Sequence, residues 1–330
     1  MIAEAGVNHN GRLDLALKLV DVAASAGADA VKFQTFRPEL LAAPDAGKAS
    51  YQKETTDASE SQLAMLKKLA LSFEDFAGIK AYCAQKGIIF LSTPFDRDSA
   101  DFLDRLGMEC FKIPSGELVN LPFLAHVGAK KKPVILSTGM GSLEEVRAAV
   151  ATLEKAGCSS MAILQCVSNY PAAASDVNLR AMQTLAQFGY PTGYSDHTMG
   201  IAVALASVAL GAVIVEKHFT LDAAMEGPDH RCSLEQDELT ALVSGIREVQ
   251  SSLGDGRKEA AVAEKDTARA ARRSLFLRQP LAAGTAIGPD DLEALRPGDG
   301  ISPARFAELL GRKVRRNLPA HHKLAVEDLA

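Results

Sequence analysis

The chain has 330 residues, of which 47% are hydrophobic and 23% charged, and 36 basic against 41 acidic residues leave a formal charge of −5. That suits one large globular domain plus a small one and gives no basic face for nucleic acid. No uncharged apolar stretch is long enough to cross a membrane, and Glu4, Arg12, Asp14 and Lys18 interrupt any signal-peptide core.

In chain order, short apolar runs at Ile2–Ala5, Ala30–Gln34, Ile88–Ser92, Cys110–Pro114, Pro133–Ser137, Met161–Gln165, Thr192–Ser195 and Ala212–Lys217 read as strands buried on both faces. Amphipathic stretches separate them. Leu13–Ala26 places Leu15, Leu19, Val22 and Ala23 on one face. Ser72 with Asp75 and Ser142 with Glu145 have capping-box spacing, and Glu235–Leu253 is the last long helix. Eight strand–helix repeats in roughly 250 residues predict a (β/α)8 TIM barrel. An open doubly wound sheet is disfavoured, because the first strand runs into Gly6-Val7-Asn8-His9-Asn10-Gly11 and not into a GxGxxG turn. Cys83, Cys110, Cys158, Cys166 and Cys232 are odd in number and form no CxxC, as expected of thiols in a reducing cytoplasm.

The connection from Thr35 to Leu71 is far longer than most loops of compact domains and follows a strand, so it is expected over the active face. The predicted boundaries are a catalytic barrel over 1–255, a charged, Ala-rich linker over 256–273, and a small C-terminal domain over 274–330, too small to bury much core by itself.

In such a barrel the chemistry lies at the C-terminal strand ends. Those ends offer Glu4, Lys32 and Gln34, Thr93, Lys112 with Ser115 and Glu117, Ser168 and Tyr170, Ser195 with His197, and Glu216-Lys217-His218. Lys32 and Lys112 interrupt apolar runs and require an anion. With the hydroxyls of Thr93, Ser115, Ser168 and Ser195 they make a cradle for phosphate and carboxylate. His197 and His218 end adjacent strands and are candidate ligands of a divalent metal. Glu4, Glu117 and Asp229 are candidates for a carboxylate pair, and Glu117 or a metal-bound water is the candidate for proton transfer.

Several segments in fixed order resemble the sialic acid synthases: AEAGVNHNG from Ala3, KFQTF from Lys32, STPFD from Ser92, FKIPSGE from Phe111, LSTGM from Leu136, YSDHT from Tyr194, EKHFTLD from Glu216, GPDHRCSL from Gly227 and RPGDGI from Arg296. The resemblance implies a barrel followed by an antifreeze-like (SAF) domain, in a domain-swapped homodimer. It implies condensation of phosphoenolpyruvate with an open-chain N-acetylated aminosugar, either N-acetylmannosamine or 2,4-diacetamido-2,4,6-trideoxymannose, with release of phosphate. It implies a divalent metal, Mn2+ or Mg2+, on His197 and His218. By the same resemblance Lys32, Thr93, Lys112, Ser115, Ser168 and Ser195 contact phosphoenolpyruvate, and Gln34, Glu117, Tyr170 and Asp229 contact the sugar. Arg296 reaches the partner's site. Lys32, Lys112 and Glu117 are the expected catalytic residues.

Three other readings stay open on the residues alone. A class I aldolase would form a Schiff base on Lys112 or Lys217. A synthase of phosphorylated sugars would need a second basic cluster at the mouth. A binding module would use the C-terminal unit on an inert barrel.

Overall fold

The computed structural model describes residues 1–330, and the chain divides into two compact units, Met1–Gly254 and Asp255–Ala330. In the first unit, eight parallel strands run β1 (Ile2–Gly6), β2 (Ala30–Thr35), β3 (Ile89–Pro94), β4 (Phe111–Ile113), β5 (Val134–Ser137), β6 (Met161–Cys166), β7 (Thr192–Asp196) and β8 (Val215–His218). Their hydrogen-bonded order is β3-β2-β1-β8-β7-β6-β5-β4, and the two end strands, β3 and β4, lie side by side. The sheet therefore comes round into a nearly closed (β/α)8 barrel, as the sequence pattern predicts.

The crossover helices form where the apolar period and the caps direct them. Helix α1 (Leu13–Ser25) buries Leu15, Ala16, Leu19, Val20 and Ala23. Three short helices follow in the long connection: α2 (Pro38–Leu41), α3 (Ser50–Thr55) and α4 (Gln62–Leu69). Helix α5 (Phe73–Lys86) begins with the expected box, Ser72 Oγ accepting from Asp75 N at 3.1 Å and Asp75 Oδ2 from Ser72 N at 3.0 Å. Further on, α6 (Arg97–Arg105) starts on Asp96, α7 (Leu121–Gly128) on Asn120, and α8 (Leu143–Ala156) on the Ser142–Glu145 box. After α9 (Ala181–Leu185) and α10 (Ala202–Ala209), α11 (Gln236–Ser252) closes the ring. Side chains between sheet and helices form one continuous core, including Leu19, Phe33, Phe76, Phe111, Leu153 and Leu242.

Strand β8 runs from Val215 to His218, displaced from the expected Ala212–Lys217. The residues before it are apolar for other reasons. Ile214 packs into the lower barrel interior and Ala212 against the outer core, while Val213 is exposed.

Period-two alternation turns one face of each strand inward. The lower interior is dry, with Ile2, Ala30, Leu91, Ile135, Ala162 and Leu164 packed together. Two residues further along the same strands stand Glu4, Lys32, Thr93, Ser137 and Cys166, which line a cavity instead. The barrel is thus plugged below and chemically equipped above.

The second unit has its own core, built on Leu275, Leu277, Ile287, Leu292, Val314 and Leu324. Its β9 (Ser274–Leu277) pairs antiparallel with β10 (Leu292–Leu295). Within the stretch predicted as linker, Lys265–Ala271 is helical.

Candidate active site

The cavity at the strand ends has a volume of about 450 Å³, within the range of small-molecule sites. Its floor carries two buried lysines and two buried glutamates. Lys32 Nζ lies 2.7 Å from Glu4 Oε2 and 3.7 Å from Glu216 Oε2, and Lys112 Nζ lies 3.4 Å from Glu216 Oε1. Lys32 also donates to Thr93 Oγ1 at 2.9 Å, and Ser195 Oγ donates to Glu216 Oε1 at 2.9 Å. The charges that the lysines require are therefore partly supplied from β1 and β8.

The two carboxyls are not equivalent. Burial pushes Glu4 up to about 7 against the pull of Lys32, with the charge of Glu216 adding to the rise. Burial also opposes ionisation of Glu216, but Lys112 and Lys32 flank it, and Ser195 donates to it, which together hold it down to about 2. Burial lowers the Lys112 ammonium below its ordinary value. The floor is then a fixed anion between two cations, with a second carboxyl poised to gain or lose a proton near neutrality.

Beside the lysines the backbone makes a close approach. Gly139 N donates to Ser115 Oγ at 2.9 Å, and a Cβ on Gly139 would sit 2.3 Å from Ser168 Oγ. Only glycine fits there. Ser137 Oγ is buried on the cavity wall with no hydrogen-bond partner. Such a hydroxyl costs free energy unless a ligand oxygen meets it.

The opposite side is aromatic. His197 and His218 lie with ring centroids 5.5 Å apart, and Tyr170 packs 4.0 Å from His197 and 5.8 Å edge-on to His218. Tyr51, from α3, stacks on Tyr170 at 5.0 Å. Asp229 is buried on the same wall, and burial pushes its carboxyl up to about 6. At the end of β1, Gly6 adopts φ 55°, and a Cβ there would come 3.2 Å from His218 Cε1 and 3.4 Å from Gln34 Nε2. Its absence leaves both side chains room at the mouth.

The histidines fit a shared cation. His197 Nδ1 lies 2.7 Å from the Val167 carbonyl, which only accepts, so a proton is on Nδ1, and in the neutral ring Nε2 is the nitrogen left to bind a cation. His218 Nδ1 is buried with no partner. No group of three or more His, Cys, Asp or Glu side chains is arranged to hold an ion. A metal here would have two imidazole ligands and open positions for substrate oxygens.

Of the residues singled out from the sequence, Lys32, Gln34, Thr93, Lys112, Ser115, Ser168, Tyr170, Ser195, His197, His218 and Asp229 all line this one cavity. Glu117 does not. It sits in the turn after β4 with Oε2 accepting from Asn120 Nδ2 at 2.6 Å. Arg296 is exposed on the second unit, its Nε donating to the Ala271 carbonyl at 3.1 Å. Strand-end residues given no role from the sequence are Glu216, Ser137 and Cys166, whose Sγ lies 3.8 Å from His197 Nδ1. The signal for Glu216 and Cys166 was parity, each standing two residues from a chosen residue, His218 and Ser168; Ser137 stands two residues beyond the interior Ile135. The long connection covers the cavity as predicted, contributing Phe36, Leu41, Tyr51, Gln52, Gln62 and Leu66 among others.

The NeuB family model matches residues 19–258 and the SAF domain model matches residues 272–329. The N,N'-diacetyllegionaminic acid synthase of Legionella pneumophila is 46% identical over 334 aligned positions, covering 100% of this chain and 94% of that protein. The enzyme of the same name from Campylobacter jejuni is 46% identical, covering 96% of each chain. Among solved structures, the N-acetylneuraminic acid (sialic acid) synthetase of Leptospira borgpetersenii, crystallised with citrate, superposes with a TM-score of 0.70. It is 36% identical over 81% of this chain and 88% of that one.

Proposed function

The chain belongs to the NeuB family and is an enzyme of the sialic acid synthase type, and from that premise we propose that it condenses phosphoenolpyruvate with open-chain 2,4-diacetamido-2,4,6-trideoxymannose, releasing phosphate and a diacetamido nonulosonic acid. The observation that carries the donor half is the floor of Lys32, Lys112, Glu216 and the unpartnered Ser137. For the acceptor, the two relatives of 46% identity favour the diacetamido sugar over N-acetylmannosamine.

Lys32 and Lys112 receive the phosphate and carboxylate of the donor, with Thr93, Ser115, Ser137, Ser168 and Ser195 supplying hydroxyls and Gly139 its close backbone. Carbon 3 of the enol attacks the aldehyde carbon and forms the new C–C bond. Water adds to carbon 2, the C–O bond to phosphate breaks, and phosphate leaves. The water sheds one proton as it adds, its second proton leaves with the phosphate as the tetrahedral intermediate collapses to the ketone, and the new alkoxide gains one. Glu4, in the cavity and balanced near neutrality, takes up the water's proton; Asp229, beside the histidines, is the donor to the alkoxide. Glu117, held on Asn120 outside the lining, takes no part in this scheme.

His197 and His218 are the residues that would hold a divalent cation, Mn2+ or Mg2+, which when bound supplies Lewis-acid polarisation of the acceptor carbonyl. Tyr170 packs on His197 and fixes its plane. Holding both substrates in register contributes up to roughly 7–11 kcal/mol in favourable cases.

The reading extends to a homodimer in which the C-terminal unit of each chain caps the partner's barrel and brings Arg296 to its mouth. A cytoplasmic location accords with the free cysteines, and no helix is long and apolar enough to cross a membrane. Phosphate release from phosphoenolpyruvate, measured with each acceptor and followed by mass analysis of the product, tests the function. Release with neither acceptor overturns it.

A further inference from the structure

The wall that the long connection gives the cavity is uncharged. Met65, Leu69, Phe36 and Val7 form a buried apolar cluster, with Leu41, Leu66 and Phe95 packed against it half-buried, and members of all these elements line the cavity. The polar side chains that the connection adds to the lining are Tyr51, Gln52 and Gln62. The cluster follows β1, β2 and β3, whereas His197 follows β7 and His218 ends β8. An acceptor whose aldehyde meets the histidine pair and the lysine floor has its far carbons free to extend to this wall.

Such a wall discriminates by desolvation. A sugar hydroxyl pressed on Leu41 and Leu66 loses water without gaining a partner, which is unfavourable, whereas a methyl group gains contact. The diacetamido-trideoxy sugar carries methyl groups on both acetamides and at carbon 6. N-acetylmannosamine carries hydroxyls at carbons 4 and 6. We infer that Leu41 and Leu66, backed by Met65, are specificity-determining residues that form a subsite for the acetamido and deoxy methyl groups of the acceptor. The amides of Gln52 and Gln62 are the neighbouring hydrogen-bonding groups for the acetamides. This inference rests on the acceptor proposed above.

The test compares kcat/KM for the two acceptors, and KM for phosphoenolpyruvate, in the wild type, Leu41→Gln, Leu66→Gln and the conservative Leu66→Met. Both leucines are half-buried, so the exchanges do not hollow the core. Wild type should prefer the trideoxy sugar. Each glutamine variant should lower that preference tenfold or more, within the roughly 10–200-fold range of one hydrophobic group in a pocket. The change should appear as a raised KM for the trideoxy sugar, with KM for phosphoenolpyruvate unmoved, and Leu66→Met should keep the wild-type ratio. A wild type that prefers N-acetylmannosamine overturns the acceptor reading, and the subsite with it. A wild type that prefers the trideoxy sugar, with both glutamine variants keeping its ratio, overturns the subsite alone.

Discussion

Lys217 Nζ lies 2.7 Å from Asp196 Oδ2, both side chains fully buried, on the face of the sheet turned away from the cavity. Its neighbours in sequence, Glu216 and His218, line the cavity. Lys217 also donates to the Thr198 carbonyl at 2.7 Å, so the ammonium is held within the wall that joins β7 and β8. A Schiff-base role for Lys217 requires a substrate path that this side of the strand does not provide. Lys217→Met leaves Asp196 buried and uncompensated, at an expected cost of about 3–5 kcal/mol. Urea unfolding should show that loss, and Lys217→Met with Asp196→Asn should recover part of it. Borohydride treatment with substrate should leave Lys217 unmodified; a trapped adduct there would count against this placement.

Parity explains what was and was not legible in the sequence. The strands, the Ser72 and Ser142 caps and the inward set Lys32, Thr93, Lys112, Ser195, His197 and His218 follow from period-two and helical patterns with a barrel as frame. Glu216 was passed over because one sequence shows a carboxylate at a strand end but not its two cations 3.4 and 3.7 Å away. Glu117 attracted attention through its motif neighbours, yet the turn after β4 leads it to Asn120, outside the lining. Contacts made across the barrel depend on closure and register, which no local pattern encodes.

Glu4→Gln tests the proton transfer. The amide keeps the shape and a contact to Gln34 but can neither hold nor pass the proton. A positioned acid–base group contributes typically 10²–10⁴-fold, so kcat should fall within that span. With Glu4 near 7 in the free enzyme, the limb of the kcat/KM–pH profile close to neutrality should vanish in the variant. A profile that keeps this limb assigns it to another group. Lys32 loses its nearest carboxylate in the same variant, so Glu4→Gln combined with Lys32→Met should be more stable than Glu4→Gln alone.

Metal removal separates ligand from scaffold. Chelation and desalting should abolish phosphate release, and Mn2+ or Mg2+ should restore it. In calorimetry, His218→Ala should weaken metal binding beyond measurement. Its melting temperature should stay within about 4 °C of wild type, because the change empties cavity wall and removes no core contact worth more than about 1 kcal/mol. Full activity in the chelated enzyme would remove the metal from the reaction, and unchanged binding in His218→Ala would remove His218 from the ligand set.

Acid stability should depend on two histidines outside the cavity. His9 lies in the loop after β1, and His230, in the loop after β8, ties that loop to the first through Asn10. Gly11 N donates to His9 Nδ1 at 3.1 Å, and His230 lies 2.6 Å from Thr220 Oγ1 and 3.2 Å from Asn10 Oδ1. Burial holds both down to about 4, and the charge of His230 adds to the effect on His9. An unfolded histidine titrates near 6.5. Between those values the unfolded state binds the more protons, so the contribution is complete above about 6.5 and is lost as pH falls towards 4, by up to about 1.4 kcal/mol per pH unit for each ring. Glu4 and Asp229 act in the opposite sense, because their folded values of about 7 and 6 lie above those of free carboxyls. The comparison of variants, and not the absolute curve, therefore isolates the histidines. Wild type should lose more stability between pH 7 and pH 5 in urea unfolding than a His9→Gln/His230→Asn variant, whichever is the more stable at pH 7. Parallel pH curves for the two proteins would show that these rings are not what acid acts on.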